Sequence, residues 1–407
     1  MLRLTILFLT VPFLAFAKQI TVCKSCAQTS IQNAISVADS GDVILVKAGT
    51  YNEHDIIVDR PVSLKADGDV IVDGQKKSYV IKVLADHVTI SGLHLKNVGI
   101  SFTKDFAAIY LHRVKHFLIE NCTLEAVYFG MLIEKSSHGI IRKNTISSEG
   151  TEEVTAGNGI HLWHCNNVMI EGNYCHKLRD GIYFEFTNES EVRNNISEHN
   201  FRYGLHFMFS NNDVYTDNTF RENGAGVAVM FSKFIHMENN LFHKNWGSAS
   251  YGLLLKEIYD AEIINNRFEE NTIAINIEGS TRINYTNNIL KGNGWGVKVA
   301  GACYKNVFEG NNFSSNAFDV SYNSKMNDNA FSGNYWGDYT GYDLDKDGIG
   351  DVPHRPVKLF SYIVNRTPET IVLLRSLIVD ISNFSEKVSP VFTPDDLVDE
   401  KPLMRLR

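Results

Sequence analysis

Between residues 159 and 300 the chain alternates apolar and polar positions in short runs. Each run is opened by a small residue: Gly159, Gly181, Gly204, Gly226, Gly252, Ala274 and Gly296. One and three residues after each opening stands an aliphatic or aromatic side chain, as with Ile160 and Leu162 or Leu205 and Phe207. A period of two marks a strand with one buried face, so seven short strands are predicted here. Between them lies a second pattern built on Asn-Asn steps: EVRNNISEHN (191–200), DVYTDNTFREN (213–223), HMENNLFHKN (236–245), EIINNRFEEN (262–271), INYTNNILKGN (283–293) and VFEGNNFSSN (307–316). Its second Asn falls at Asn195, Asn218, Asn240, Asn266, Asn288 and Asn312, a spacing of 22 to 26 residues.

A fixed period of that size, with β segments, no helical pattern and no leucine-rich signature, predicts an all-β solenoid of stacked parallel coils. The chain has 38 Asn, 33 of them between Asn121 and Asn334, which places them at regularly spaced corners where their amides can form ladders. A stack needs closed ends. Residues 29–51 offer an N-capping Ser or Thr followed by Ile31, Ala34, Ile35 and Ala38 at helical spacing, a short helix that plugs one end. The aromatics of NYWGDY (334–339) stop the repeat at the other. The predicted organisation is a leader over 1–17, a solenoid over 18–340 with its cap at about 18–60, and a C-terminal extension over 341–407.

Register turns the repeat into a surface map. Residues two and four places after each opening face outward. The first row reads His161, Tyr183, His206, Ala228, Leu254, Asn276, Lys298; the second reads Trp163, Glu185, Met208, Met230, Lys256, Glu278, Ala300. Successive coils lie about 4.8 Å apart and alternate residues of a strand about 6.5 Å. His206, Met208 and Met230 therefore gather outward, with His161 and Glu185 alongside. Thioether and imidazole together suit a soft ion such as Cu(I). The competing reading is a docking patch, because Met and aromatic side chains also mark interfaces. Other histidines, at 87, 94, 112, 116, 138, 176, 236 and 243, show no repeated ligand spacing and read as surface or turn residues.

Composition narrows the classes. With 44% hydrophobic and 21% charged residues the chain is neither disordered nor polytopic, and a net charge of −8 excludes a nucleic-acid partner. MLRLTILFLTVPFLAFA has the charged start, apolar stretch and small-x-small site of an export signal, with a mature chain from near Lys18. Of six cysteines, Cys23 and Cys26 form a CxxC that is read either as a local disulfide or as a copper-handling pair.

In the C-terminal extension, DLDKDGIGD (343–351) alternates Asp343, Asp345 and Asp347, then Gly348 and Asp351, the oxygen-rich turn that Ca²⁺ requires. The distal Glu of an EF-hand is missing, His354 standing in its place, so a solvated acidic turn competes. Thr367-Pro368-Glu369 predicts the start of one helix, apolar nearly all round from Ile371 to Phe384 and too short to span a bilayer. It either packs along the solenoid or docks on a membrane partner. The tail 389–407 reads as an extended arm.

The entry segment SIQNAISVADSGDVILVKAGTY (30–51) resembles that of right-handed β-helix proteins related to pectate lyases and carbohydrate-active CASH domains. More specifically, RYGLHFMFS (202–210), GAGVAVMFS (224–232), YGLLLKEI (251–258), VPHRP (352–356) and DEKPLMRLR (399–407) resemble the NosD family, over essentially the whole mature chain. That resemblance implies a right-handed parallel β-helix in the periplasm that handles copper for nitrous oxide reductase maturation. It implies work with an ABC transporter of NosF and NosY type, a NosL-type copper chaperone and the reductase NosZ, with membrane contact only through the permease. Within it, His206, Met208 and Met230 are the copper candidates.

Three function classes follow. The first is a non-enzymatic copper-delivery scaffold, its site completed or oriented by Glu185 or His161, with the C-terminal helix bound to the permease. The second is a polysaccharide lyase or hydrolase, suggested by the solenoid and by Trp163 with Tyr183. Glu185 and Glu278, four coils and about 19 Å apart, are too distant for glycoside hydrolysis, which needs about 5–9.5 Å. The third is pure protein interaction, with the Met patch covered by a partner.

Overall fold

In a computed structural model, which describes residues 17–101, 103–323, 328–388 and 397–406, the chain winds into a parallel β-solenoid of about 14 turns. Apart from Ala17, the leader assigned to residues 1–17 lies outside the described residues. One face is a 12-stranded parallel sheet and the other faces form a 25-stranded parallel assembly. Five strands of the 12-stranded sheet carry the site: β1 (Ile160–Trp163), β2 (Asp180–Glu185), β3 (Tyr203–Met208), β4 (Ala225–Met230) and β5 (Leu253–Lys256). Their inward side chains, among them Leu162, Phe184, Phe207, Val229 and Leu255, are fully buried.

The small residue that opens each strand has a steric cause. A Cβ on Gly181 would lie 2.0 Å from the Ser197 hydroxyl, and one on Gly226 2.2 Å from the Gly252 carbonyl of the next coil. Coils stacked at rung spacing leave no room for a side chain there.

The asparagines form the ladders expected of them. From Asn144 through Asn173, Asn195, Asn218, Asn240, Asn266 and Asn288, each side-chain amide donates to the carboxamide oxygen of the next coil at 2.9–3.2 Å. The column then continues through Asn311, not Asn312 as the spacing suggested, and ends at Asn334. Gly310 takes the left-handed corner (φ 66°) filled by Asn287 one coil earlier, so the ladder position falls one residue sooner. A second column runs through Asn200, Asn223, Asn245, Asn271, Asn293 and Asn316. Such mutual satisfaction lets polar side chains sit in the core, where an unpaired amide is costly.

The N-terminal end is plugged by α1 (Ile31–Val37), whose Ile31, Ala34 and Ile35 are buried and whose N-cap Ser30 accepts the Asn33 N–H. Nearby, Cys23 and Cys26 form a disulfide, the first of the two readings of that motif.

The C-terminal extension departs from the expected single helix. It contains α2 (Leu359–Arg366), a 3₁₀ turn (Pro368–Leu373) and α3 (Leu377–Val388). Thr367 precedes proline and leaves the helical region (φ −136°, ψ 79°), so it ends α2, its N–H donating to the Ile363 carbonyl, and opens the 3₁₀ turn without a side-chain capping bond. Phe360 and Val364 of α2 and Val379 of α3 pack on Phe318 of the last coil, and Ser361 Oγ donates to the Val320 carbonyl on the sheet edge. No described helix is long and apolar enough to cross a membrane. The tail also differs from an extended arm. Residues 397–406 return to the solenoid, where the buried Asp399 carboxylate accepts N–H groups from Gly333, Asn334 and Trp336 at 3.0–3.1 Å. It also accepts the Asn334 side-chain amide and so terminates the Asn ladder.

Candidate functional site

The outward rows stand in the register expected from the alternation. Across β1 to β5, His161, Tyr183, His206, Ala228 and Leu254 occupy successive rungs, as do Trp163, Glu185, Met208, Met230 and Lys256. Both rows extend toward the N-terminus, through Tyr110 and Leu132 in the first and His112 and Glu134 in the second. Those coils lack Asn-Asn steps, so spacing did not reveal them.

His206, expected in solvent, is only 6% exposed. It faces outward from the sheet but lies under two rings, Tyr183 at 4.9 Å and Tyr203 at 4.8 Å between centroids. Tyr203 is in turn held by the Tyr251 hydroxyl, which donates to its own at 3.3 Å. Both tyrosines stand one place before the opening glycines, a row that strict alternation would turn inward and that the break in pairing at the glycine turns outward. Beside the imidazole, Asp180 is fully buried and gripped by the Arg202 guanidinium, with Nε donating to Oδ1 at 2.8 Å and a second contact to Oδ2. Burial would raise the Asp180 pKa, but Arg202 and His206 outweigh it and hold the carboxyl below the usual range. Asp180 and Arg202 are the parts of the site that sequence reasoning missed. Both stand before the opening glycines, outside the two outward rows that the alternation gives, so it carried no signal for them.

His161 sits two rungs from His206 with the Tyr183 ring between them, 4.6 Å from its own centroid. Burial, with Arg179 nearby, pushes its pKa down to about 3, so the imidazole is neutral. None of the four ring nitrogens of His161 and His206 has a hydrogen-bond partner, and all four are out of contact with solvent. Such orphaned groups cost about 1–3 kcal/mol each and call for a function. Met208 and Met230, both half-buried, occupy adjacent rungs, and the Tyr183 hydroxyl points at the Met208 sulfur from 4.0 Å. Glu185 stands on the rung before Met208.

The sheet ends in a left-handed corner beside the Met row. His164, Phe186, Phe209 and Phe231 take φ of 51–55° there and stack at 4.7, 5.1 and 5.1 Å, the three Phe rings 37–42% exposed. Bulky side chains rarely adopt this conformation. A solvent-facing aromatic column therefore flanks the methionines.

At the far end of the molecule, Asp343, Asp345 and Asp347 bring their oxygens within 4.8 Å of one another, the one group of three or more His, Cys, Asp or Glu so arranged among the described residues. Each accepts backbone N–H groups of its own loop, and Asp351 accepts that of Leu344 at 2.7 Å.

Comparison with known proteins places these features in context. Residues 146–341 match a family model described as periplasmic copper-binding protein (NosD), and residues 21–231 match a family of unknown function, DUF1565. A probable ABC transporter binding protein NosD from Pseudomonas aeruginosa is 28% identical over 380 residues, covering 88% of this chain and 87% of that one. The protein of the same description from Stutzerimonas stutzeri is 25% identical over 379 residues, covering 88% and 86%. Among solved structures, the A-module of mannuronan C-5 epimerase AlgE6 from Azotobacter vinelandii superposes with a TM-score of 0.53 at 12% identity, covering 76% of this chain and 93% of that one. At that identity the likeness is one of fold.

Proposed function

We propose that the chain is a member of the NosD family, whose model is described as periplasmic and copper-binding and matches residues 146–341, and that it delivers copper for the maturation of nitrous oxide reductase. In this reading copper is cargo, bound as Cu(I) by Met208, Met230 and His206. The observation that carries it is the pair of imidazoles whose ring nitrogens are shut off from solvent without a hydrogen bond, only His206 Nδ1 having a charged neighbour in Asp180, beside two methionines on adjacent rungs. Met side chains have three rotatable bonds, so Met208 and Met230 can converge on an ion within reach of His206 without backbone movement. Two thioethers and an imidazole favour Cu(I) over harder ions. His161, neutral and likewise unpartnered, and Glu185 complete the patch.

The partners follow the same reading. The exposed side chains Leu377, Ile378, Ile381 and Phe384 form one face of α3 while Val379 anchors the helix, a surface suited to the permease of a NosF and NosY type transporter. The Phe186–Phe209–Phe231 column beside the methionines offers the apolar contact across which Cu(I) passes between this chain and a NosL-type chaperone or NosZ. No step of the reading is enzymatic. Cu(I) titration of the full mature chain against a Met208→Leu/Met230→Leu variant tests it. The reading expects a loss of affinity of at least tenfold in the variant, and an unchanged affinity would remove the ligand assignment.

A further inference from the structure

At the corner that follows the 12-stranded sheet, His87, His116 and His138 stand on consecutive coils, exposed, with φ of 59°, 54° and 55°. Their rings stack as a column, with centroids 4.9 Å apart and planes 13° apart for the first pair, 5.1 Å and 38° for the second. The same corner continues through Asn167, Glu189 and Asn212, all in the left-handed region. The backbone there requires a residue that tolerates positive φ, which Asn supplies as well as His. Three successive imidazoles are therefore not a demand of the fold.

We propose that this column is a second metal site, separate from the methionine patch, that takes a borderline divalent cation such as Cu(II) or Zn(II) on His116 and its neighbours. Neutral imidazole is the ligand these ions prefer. With metal–nitrogen bonds of about 2.0–2.1 Å, two ligand nitrogens about 3.3 Å apart serve one tetrahedral ion. Rings one rung apart reach that spacing by rotating about their own side-chain bonds. Nδ1 of His138 lies 3.1 Å from the Ser137 hydroxyl, and in the tautomer in which Nδ1–H donates to that oxygen, Nε2 is the free ligand atom. His116 belongs to both pairs and is common to any ion the column holds.

Cu(II) is the probe, added to the full mature chain and followed by electron paramagnetic resonance and calorimetry. The site predicts one equivalent bound with nitrogen hyperfine structure. His116→Asn, a residue at home in this corner, lowers the Cu(II) affinity at least tenfold and abolishes that signal, while Met208→Leu/Met230→Leu leaves both unchanged. A His116→Asn/His138→Asn chain, folded by circular dichroism, that binds Cu(II) with the parent's affinity and spectrum overturns the proposal. Because the methionine variant is scored separately, failure here leaves the copper-delivery reading intact, and the reverse also holds.

Discussion

Nδ1 of His206 stands 3.6 Å from Oδ2 of Asp180, a carboxylate with no solvent exposure whose other contacts go to Arg202 and the Tyr203 backbone N–H. The imidazole is thus oriented by a buried charge pair. Asp180→Asn leaves the partly exposed Arg202 guanidinium with only Glu153, 3.9 Å away, as a counter-charge, a loss on the order of a few kcal/mol. Urea denaturation should show that loss. Asp180→Asn/Arg202→Met, which removes both charges, should recover much of it, and a double variant as unstable as the single one would contradict the account.

Acid should weaken the fold through His161. Its folded pKa of about 3 lies below the ordinary value of 6.5, so the unfolded chain binds the extra proton between those limits. Its contribution is present above pH 6.5 and is lost as pH falls toward 3, a difference on the order of a few kcal/mol. His354, pushed down to about 4 by burial, acts in the same direction. His161→Phe should therefore reduce the stability difference between pH 7 and pH 4.5 without eliminating it. An identical pH dependence in parent and variant would refute the assignment.

The C-terminal end of the Asn ladder depends on Asp399. Asp399→Ala leaves the Gly333, Asn334 and Trp336 N–H groups unpaired, at about 1–3 kcal/mol for each buried donor. Hydrogen exchange should accelerate first in the last coils, around 307–336, and leave the coils of β1 to β5 protected. Uniform acceleration along the solenoid would show that the tail caps nothing.

Substituting Lys at Ile378, Ile381 and Phe384 together removes an exposed apolar face without touching the buried contact of Val379. The melting temperature should move by no more than about 2 °C, since exposed substitutions typically cost within 0.5 kcal/mol each. Co-purification with the transporter's permease should fail. Retained association would place the docking surface elsewhere.

The solenoid was legible because its two signals are rigid. Side chains alternate with period two, and coils stack in register, so the opening glycines alone aligned His161, Tyr183, His206 and Ala228. The composition of the Met patch followed from the same arithmetic. What covers the patch did not, because Tyr203 comes from the row preceding each glycine and folds over His206 from the same strand, held there by Tyr251. The charge pair under that roof was hidden for the same reason. Glu134 and His112 were missed where the Asn step is absent and the chain inserts the 148–158 loop between coils. In the C-terminal extension no period exists to read, and the helix start at Pro368 opens a short 3₁₀ turn between two helices rather than one long helix.

The central claim is a sulfur-rich copper site built on adjacent rungs, and X-ray absorption of the Cu(I)-loaded mature chain tests it most directly. Two sulfur scatterers and one imidazole are expected in the parent. Both sulfurs should be lost in Met208→Leu/Met230→Leu, and only the imidazole in His206→Asn. A copper shell of nitrogen and oxygen alone, or one that neither variant alters, would contradict the account.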